Sequence, residues 1–227
     1  MNGKTNNQNG RGALSGLAAD WPALLLILGG LAAGVLLYSH LPDRVPSHWN
    51  IRGEVDAYSS RFWGAFGIPL MNAGIYVLMS ALPSIDPRRQ NYAKFAGTYR
   101  QFKLLMTMFF TGLYSLVIAN SLGYRAPVDR VVPFGISLLF LVIGNFMGQI
   151  RHNYFVGIKT PWTLANEEVW RKTHRLGGFV WVASGAAGMA GALVGGTVGL
   201  VLLITAFSAA VALPVVYSYI EFKRQGG

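Results

Sequence analysis

Residues 145–178 read NFMGQIRHNYFVGIKTPWTLANEEVWRKTHRLGG, a polar, aromatic and basic island set between two apolar runs. A plain connector needs no such density of Trp, His, Asn and Arg. The flanking runs, residues 132–150 and 177–194, are long enough to cross the roughly 30 Å hydrocarbon core of a bilayer as helices. Working outward, four more such runs appear at residues 22–38, 62–82, 102–122 and 197–219. Composition agrees, with 52% apolar and 12% charged residues. Water is absent from the bilayer core, so each run must satisfy its own backbone as a helix. The expected fold is an all-α integral membrane protein, a six-transmembrane-helix bundle located in the cell membrane as a multi-pass protein.

Orientation follows from the basic residues, which cytoplasmic loops retain during insertion. Fourteen Lys and Arg fall on one side of the six runs and five on the other. Both termini are therefore expected in the cytoplasm. The same asymmetry accounts for the formal charge of +10 with anionic lipid headgroups as the partner. Direct nucleic-acid binding is not needed to explain it.

The expected organisation is a disordered cytoplasmic leader at 1–20, an amino-terminal two-helix unit with an extracytoplasmic loop at 21–82, a third helix with linkers at 83–131, and a carboxy-terminal unit at 132–222. The leader is rich in Asn and Gly and has little to bury. Its weak basic character and the length of the following apolar run argue against a cleaved secretion signal. With no Cys, the chain has no disulfide and no thiol chemistry.

The outer loop, residues 41–61, reads LPDRVPSHWNIRGEVDAYSSR. Pro42 and Pro46 push the residues before them toward extended backbone, and Gly53 permits a tight turn. Trp49 and Tyr58 suit the headgroup layer. A compact cap over the helix ends and a receptor surface both fit this loop.

The inner loop is expected to hold a short amphipathic helix, the fourth loop's own, along the membrane interface. Thr163 reads as its cap, Glu167 and Glu168 lie near the positive end, Arg171, Lys172 and Arg175 near the negative end, and Gly177-Gly178 as its stop. Glu167 with Arg171 and Glu168 with Lys172 have favourable spacing. Trp162 and Trp170 read as interfacial anchors. On the fourth membrane helix, Asn145, Gln149 and His152 or Asn153 form one polar stripe, with Gly144 and Gly148 beside it. Interhelical glue and a functional cavity are both open readings of that stripe. Ala187, Gly191 and Gly195 repeat every four residues and suit close helix packing.

Catalytic patterns are missing. No HExxH occurs, and His40, His48, His152 and His174 divide two to each side. None of the nine acids lies mid-helix, which speaks against an intramembrane protease, and Asn72 and Asn145 are the conspicuous polar groups within helices, a weak basis for ion-coupled transport. The expectation is no enzyme, no metal and no cofactor.

The block GIKTPWTL at 157–164, with Asn145 and Asn153 before it and Val169-Trp170 and Thr173-His174 after it, resembles the signature of the SdpI family. The outer-loop stretch LPDRVPSHWNIRGEVDAY is similar to the amino-terminal domain of unknown function found in the same family. Lys159 departs from the pattern, where Arg is expected, and so gives up bidentate contact with a carboxylate or phosphate. The resemblance implies a bacterial six-helix membrane protein that protects its producer against a secreted, membrane-active toxin of the sporulation-delay type. It also implies a receptor whose toxin-bound form holds a transcriptional repressor at the membrane. Pro42, His48, Trp49, Asn50 and Gly53 are the toxin-facing candidates. Asn145, Asn153, Phe155, Gly157, Lys159, Thr160, Pro161, Trp162, Thr163, Trp170, Thr173 and His174 are the inner-loop candidates. A receptor or scaffold without an immunity role, and a small-solute facilitator, are the alternatives.

Overall fold

The computed structural model describes residues 19–226, and the expected disordered leader lies outside them apart from its last two positions. Among the described residues, six helices are long and apolar enough to cross a membrane. The chain runs α1 (Trp21–Leu37), a β-hairpin of β1 (Arg44–Trp49) and β2 (Val55–Ser60), α2 (Arg61–Ile85), a 3-10 segment (Arg89–Phe95), α3 (Ala96–Ser121), α4 (Val128–Met147), a one-turn α5 (Pro161–Ala165), α6 (Glu167–Val194) and α7 (Gly196–Arg224). Helices α1, α2 and α3 pack on one another, and α4, α6 and α7 form a second group; α3 and α4 join them.

Close packing within each group is set by small residues. A Cβ on Gly34 of α1 would lie 2.8 Å from the Ala65 carbonyl oxygen of α2. In the second group, Gly144 of α4 and Gly178 of α6 back onto each other, and Gly185 lies against the α4 backbone at Ser137 and Leu141. Gly191 meets Gly199 where α6 turns into α7. The expected stripe is thus right at Gly191 but not at Ala187, which is exposed. Helix packing uses Gly178, Gly185 and Gly188 instead, the face that meets α4.

The internal prolines Pro69, Pro83, Pro133 and Pro214 leave carbonyls without their helical donor, because proline has no N–H, and two of those carbonyls find an aromatic donor instead. Pro83 frees Met79, whose oxygen accepts from the Tyr99 hydroxyl at 2.5 Å. Pro214 frees Ala210, whose oxygen accepts from the Trp181 indole N–H at 2.9 Å. Helices α2 and α7 are thereby each pinned to a neighbour by an aromatic donor, which is how a membrane helix tolerates the break.

Four expectations are corrected. The chain is not purely all-α, because the outer loop pairs as an antiparallel hairpin, with Arg44 opposite Ser60 and an irregularity after Pro46. Val45, fully buried, anchors it in the space left by Gly64 and packs with Leu41 and Ala65. Second, α4 ends at Met147, so Asn145, Gln149 and His152 do not share a helical face. Asn145 is exposed and donates to its own helix at the Leu141 carbonyl, 2.8 Å away. Third, the amphipathic segment is no separate interfacial helix. Asn166 caps it, accepting from the Glu168 and Val169 N–H groups at 2.8 and 3.1 Å, and it continues as α6 straight through Gly177-Gly178. Those glycines do not stop the helix, because they are where it meets Ile158 and α4. Fourth, Asp20 is no tail residue. It is buried, accepts from Tyr76 at 3.0 Å and pairs with Lys103.

Candidate functional site

Functional side chains gather at the two ends of the bundle. The hairpin marks one face. The opposite, terminal face carries the α2–α3 linker, the α4–α6 loop and the end of α7.

On the hairpin face, the turn is built by Asn50. Its side-chain oxygen accepts from the Arg52 and Glu54 N–H groups at 2.9 and 3.1 Å, and its amide donates to the Glu54 carboxylate at 2.8 Å. That donation first, then Arg52, holds the Glu54 carboxyl below the usual carboxylate range. Gly53 takes a φ of 76°, and a Cβ there would stand 3.2 Å from the Asp129 side chain at the start of α4. His48 pairs with Asp56 at 2.5 Å in the open. The hairpin tip thus overhangs the second helix group. Between them lies a groove of about 670 Å³, with His48 to Arg52 on one side and Val132, Leu200 and Leu203 opposite. Gly191, Gly195, Gly196 and Gly199 also line it, leaving it wide. Of the outer candidates, His48, Trp49 and Asn50 line the groove, Gly53 shapes its lid, and Pro42 stands exposed before the hairpin, outside it.

On the terminal face, the loop after α4 wraps Asn153. Its amide donates to the Arg151 and Val156 carbonyls, and its oxygen accepts from the Phe155 and Val156 N–H groups, all at 2.7 to 2.9 Å. Asn153 is fully buried. Gly157 follows at a φ of 121°, and a Cβ on it would fall 2.3 Å from Nε2 of His174. That nitrogen accepts from the Ile158 N–H at 2.9 Å, so the other nitrogen carries the proton and donates to the Trp170 carbonyl at 2.8 Å. The Trp170 indole N–H reaches the Ile150 carbonyl at 2.9 Å, and its ring packs against both His174 and His152. Thr160 caps α5, exchanging bonds with Thr163, and its hydroxyl meets Ser218 of α7 at 3.0 Å. The cap of α5 is therefore Thr160, with Thr163 as its reciprocal partner rather than the cap of a longer helix.

Asn153, Thr160, Thr163, Trp170 and His174 thus form one buried assembly, joined by Phe155 through the aromatic cluster around Tyr92 and Tyr99. Thr173 is buried beside it with its hydroxyl unpartnered among the described residues. Lys159 and Pro161 are exposed, Trp162 packs on Tyr219 with ring centroids 5.1 Å apart, and Asn145 stands apart from all of them. The arrangement is a clamp. The ring nitrogens and amide of Asn153, Trp170 and His174 are spent on holding the loop.

Sequence reading missed the residues that tie this loop to α2. Asp86, 2% exposed, accepts from the Tyr92 hydroxyl and the Tyr154 N–H at 3.0 Å each and from the Arg88 N–H at 2.7 Å. Arg88 donates to His152 and to the Leu164 carbonyl and lies over the Tyr154 ring. Asn91 donates to the His152 carbonyl at 2.8 Å. Burial first, then the Arg88 guanidinium, lowers the His152 pKa below its ordinary value. The available signal was Asp86-Pro87-Arg88 itself, since an Asp that bonds two residues on makes an Asx turn at a helix end.

Residues 149–218 match the SdpI/YfhL protein family, and residues 25–73 match a domain of unknown function, DUF1648. The chain is thus similar to the SdpI family in its carboxy-terminal third. The immunity protein SdpI of Bacillus subtilis (strain 168) is 25% identical over 205 residues, which cover 90% of this chain and 96% of that protein. No solved structure matches the chain significantly. The SdpI segment contains the clamp, and the other matched segment contains the hairpin. Asp86, Arg88 and Tyr92 lie between the two matched segments.

Proposed function

We propose that this multi-pass membrane protein is a bacterial immunity protein, protecting its cell against a secreted, membrane-active toxin that is received on the hairpin face. The observation that carries the reading is the groove between the hairpin tip and the outer ends of α4, α6 and α7. Its walls are apolar and its lid is polar, which suits a segment that is leaving water for the bilayer. The excess of Lys and Arg on the terminal face supports an orientation with both termini inside and the hairpin outside. Similarity to an immunity protein over nearly the whole chain supports the role itself. Toxin held in the groove is kept from assembling in the lipid and depolarising the membrane.

A second role, holding a transcriptional repressor at the membrane, falls to the terminal face. There Arg151, Lys159, Arg171 and Arg175 are exposed around a rigid loop. The test is survival of a toxin-sensitive bacterium expressing this chain during exposure to a sporulation-delay-type toxin. Protection that Ile51→Glu abolishes at matched membrane levels supports the reading, and its absence in the parent chain counts against it. Ile51 is 80% exposed at the hairpin tip, so the variant leaves the fold intact.

A further inference from the structure

A second cleft, of about 410 Å³, opens on the terminal face between the start of α1, the end of α2 and the first turns of α3. Pro83, Ala93, Ala96 and Gly97 give it a small, apolar floor, and Arg100 and Lys103, one helical turn apart, stand on its wall. Among the described residues Asp20 is its one carboxylate, and it is already committed to Lys103 and Tyr76. Arg100 is exposed and makes no ion pair among the described residues. Net charge at the cleft is positive, its floor is greasy, and it sits at the end of membrane-spanning helices.

We propose that this cleft binds the phosphate of an anionic glycerophospholipid, with Arg100 and Lys103 on the phosphate and the glycerol lying over Ala96 and Gly97. A basic pair at the bilayer boundary attracts anionic headgroups, and a glycine beside it leaves room for the ester region. A Cβ on Gly97 would meet nothing within 4 Å, so the space there is open. The ion pair with Asp20 fixes Lys103 at the cleft, while Arg100 supplies the unmatched charge.

The test uses the full chain purified in nonionic detergent with equal amounts of phosphatidylglycerol and phosphatidylcholine, read by native mass spectrometry and by melting midpoint. Retention of phosphatidylglycerol should exceed that of phosphatidylcholine by about fivefold, the effect of one basic residue near a membrane surface. Arg100→Gln, which removes the charge, and Gly97→Leu, which fills the floor, should each bring the ratio near unity, whereas Arg89→Gln, outside the cleft, should not. Equal retention of the two lipids in the parent overturns the proposal, as does a preference that survives both variants. Stabilisation by inorganic phosphate alone, equal to that by phosphatidylglycerol, overturns the lipid as the source.

Discussion

The carboxylate of Asp86, at the end of α2, accepts a hydrogen bond at 3.0 Å from the backbone N–H of Tyr154, in the loop after α4. Through this contact the hairpin-bearing half of the chain holds the loop that carries the family signature. Asp86→Ala removes the acceptor of the Tyr154 and Arg88 N–H groups and leaves the Tyr92 hydroxyl only its longer contact to the Asn153 oxygen at 3.4 Å, a cost on the order of 2 to 4 kcal/mol. Asp86→Asn keeps one acceptor and should lose less. Thermal unfolding in detergent of the two variants checks the order.

Gly157 has two reasons to be glycine, its positive φ and the approach of His174. Gly157→Ala should lower stability by roughly 1 to 3 kcal/mol from backbone conformation alone, with the clash added. Gly123→Ala is the control: its φ is 93°, yet nothing stands near its Cβ. Melting midpoints should therefore fall further for Gly157→Ala than for Gly123→Ala.

Trp181 completes the hydrogen bonding that Pro214 interrupts. Trp181→Phe should cost about 1 to 3 kcal/mol by leaving the Ala210 carbonyl bare. In a Pro214→Ala background a helical N–H returns to that carbonyl, so the same substitution should cost less. A double-mutant cycle measured by unfolding reads the coupling directly.

Burial, then Arg88, disfavours the charged form of His152. The unfolded chain takes up that proton near the ordinary value of 6.5 and the folded chain only below it. Stability from this group is therefore complete above the ordinary value and is lost as pH falls through the folded one. Between about pH 7.5 and 5.5 the melting midpoint of the parent should drop more than that of His152→Gln, whose amide can still accept from Arg88 without titrating.

Much of this was legible in the sequence because bilayer thickness forces long apolar runs, and all six appear where hydropathy places them. Gly157, Trp170 and His174 were singled out from a local block, and the structure brings them together. Other features escaped for physical reasons. The hairpin hides because Pro42, Pro46 and Gly53 read only as turn residues, while its anchor is Val45, one apolar residue fitting a glycine 19 positions later. Asn145 looked like part of a polar stripe, but the helix ends two residues on and the side chain turns back to its own carbonyl. Asp86 and Arg88 find their partners more than 60 residues away, and no local spacing announces such a pairing.

The most direct measurement is membrane potential in toxin-exposed cells that express the parent chain, Ile51→Glu or Thr197→Trp, at matched levels in the membrane. Ile51 and Thr197 are exposed, and both line the hairpin-face groove. The account predicts that the parent holds the potential and that the charged lid and the filled groove each let it collapse. A potential held equally by all three chains would place protection elsewhere on the molecule and contradict the groove as the toxin's site.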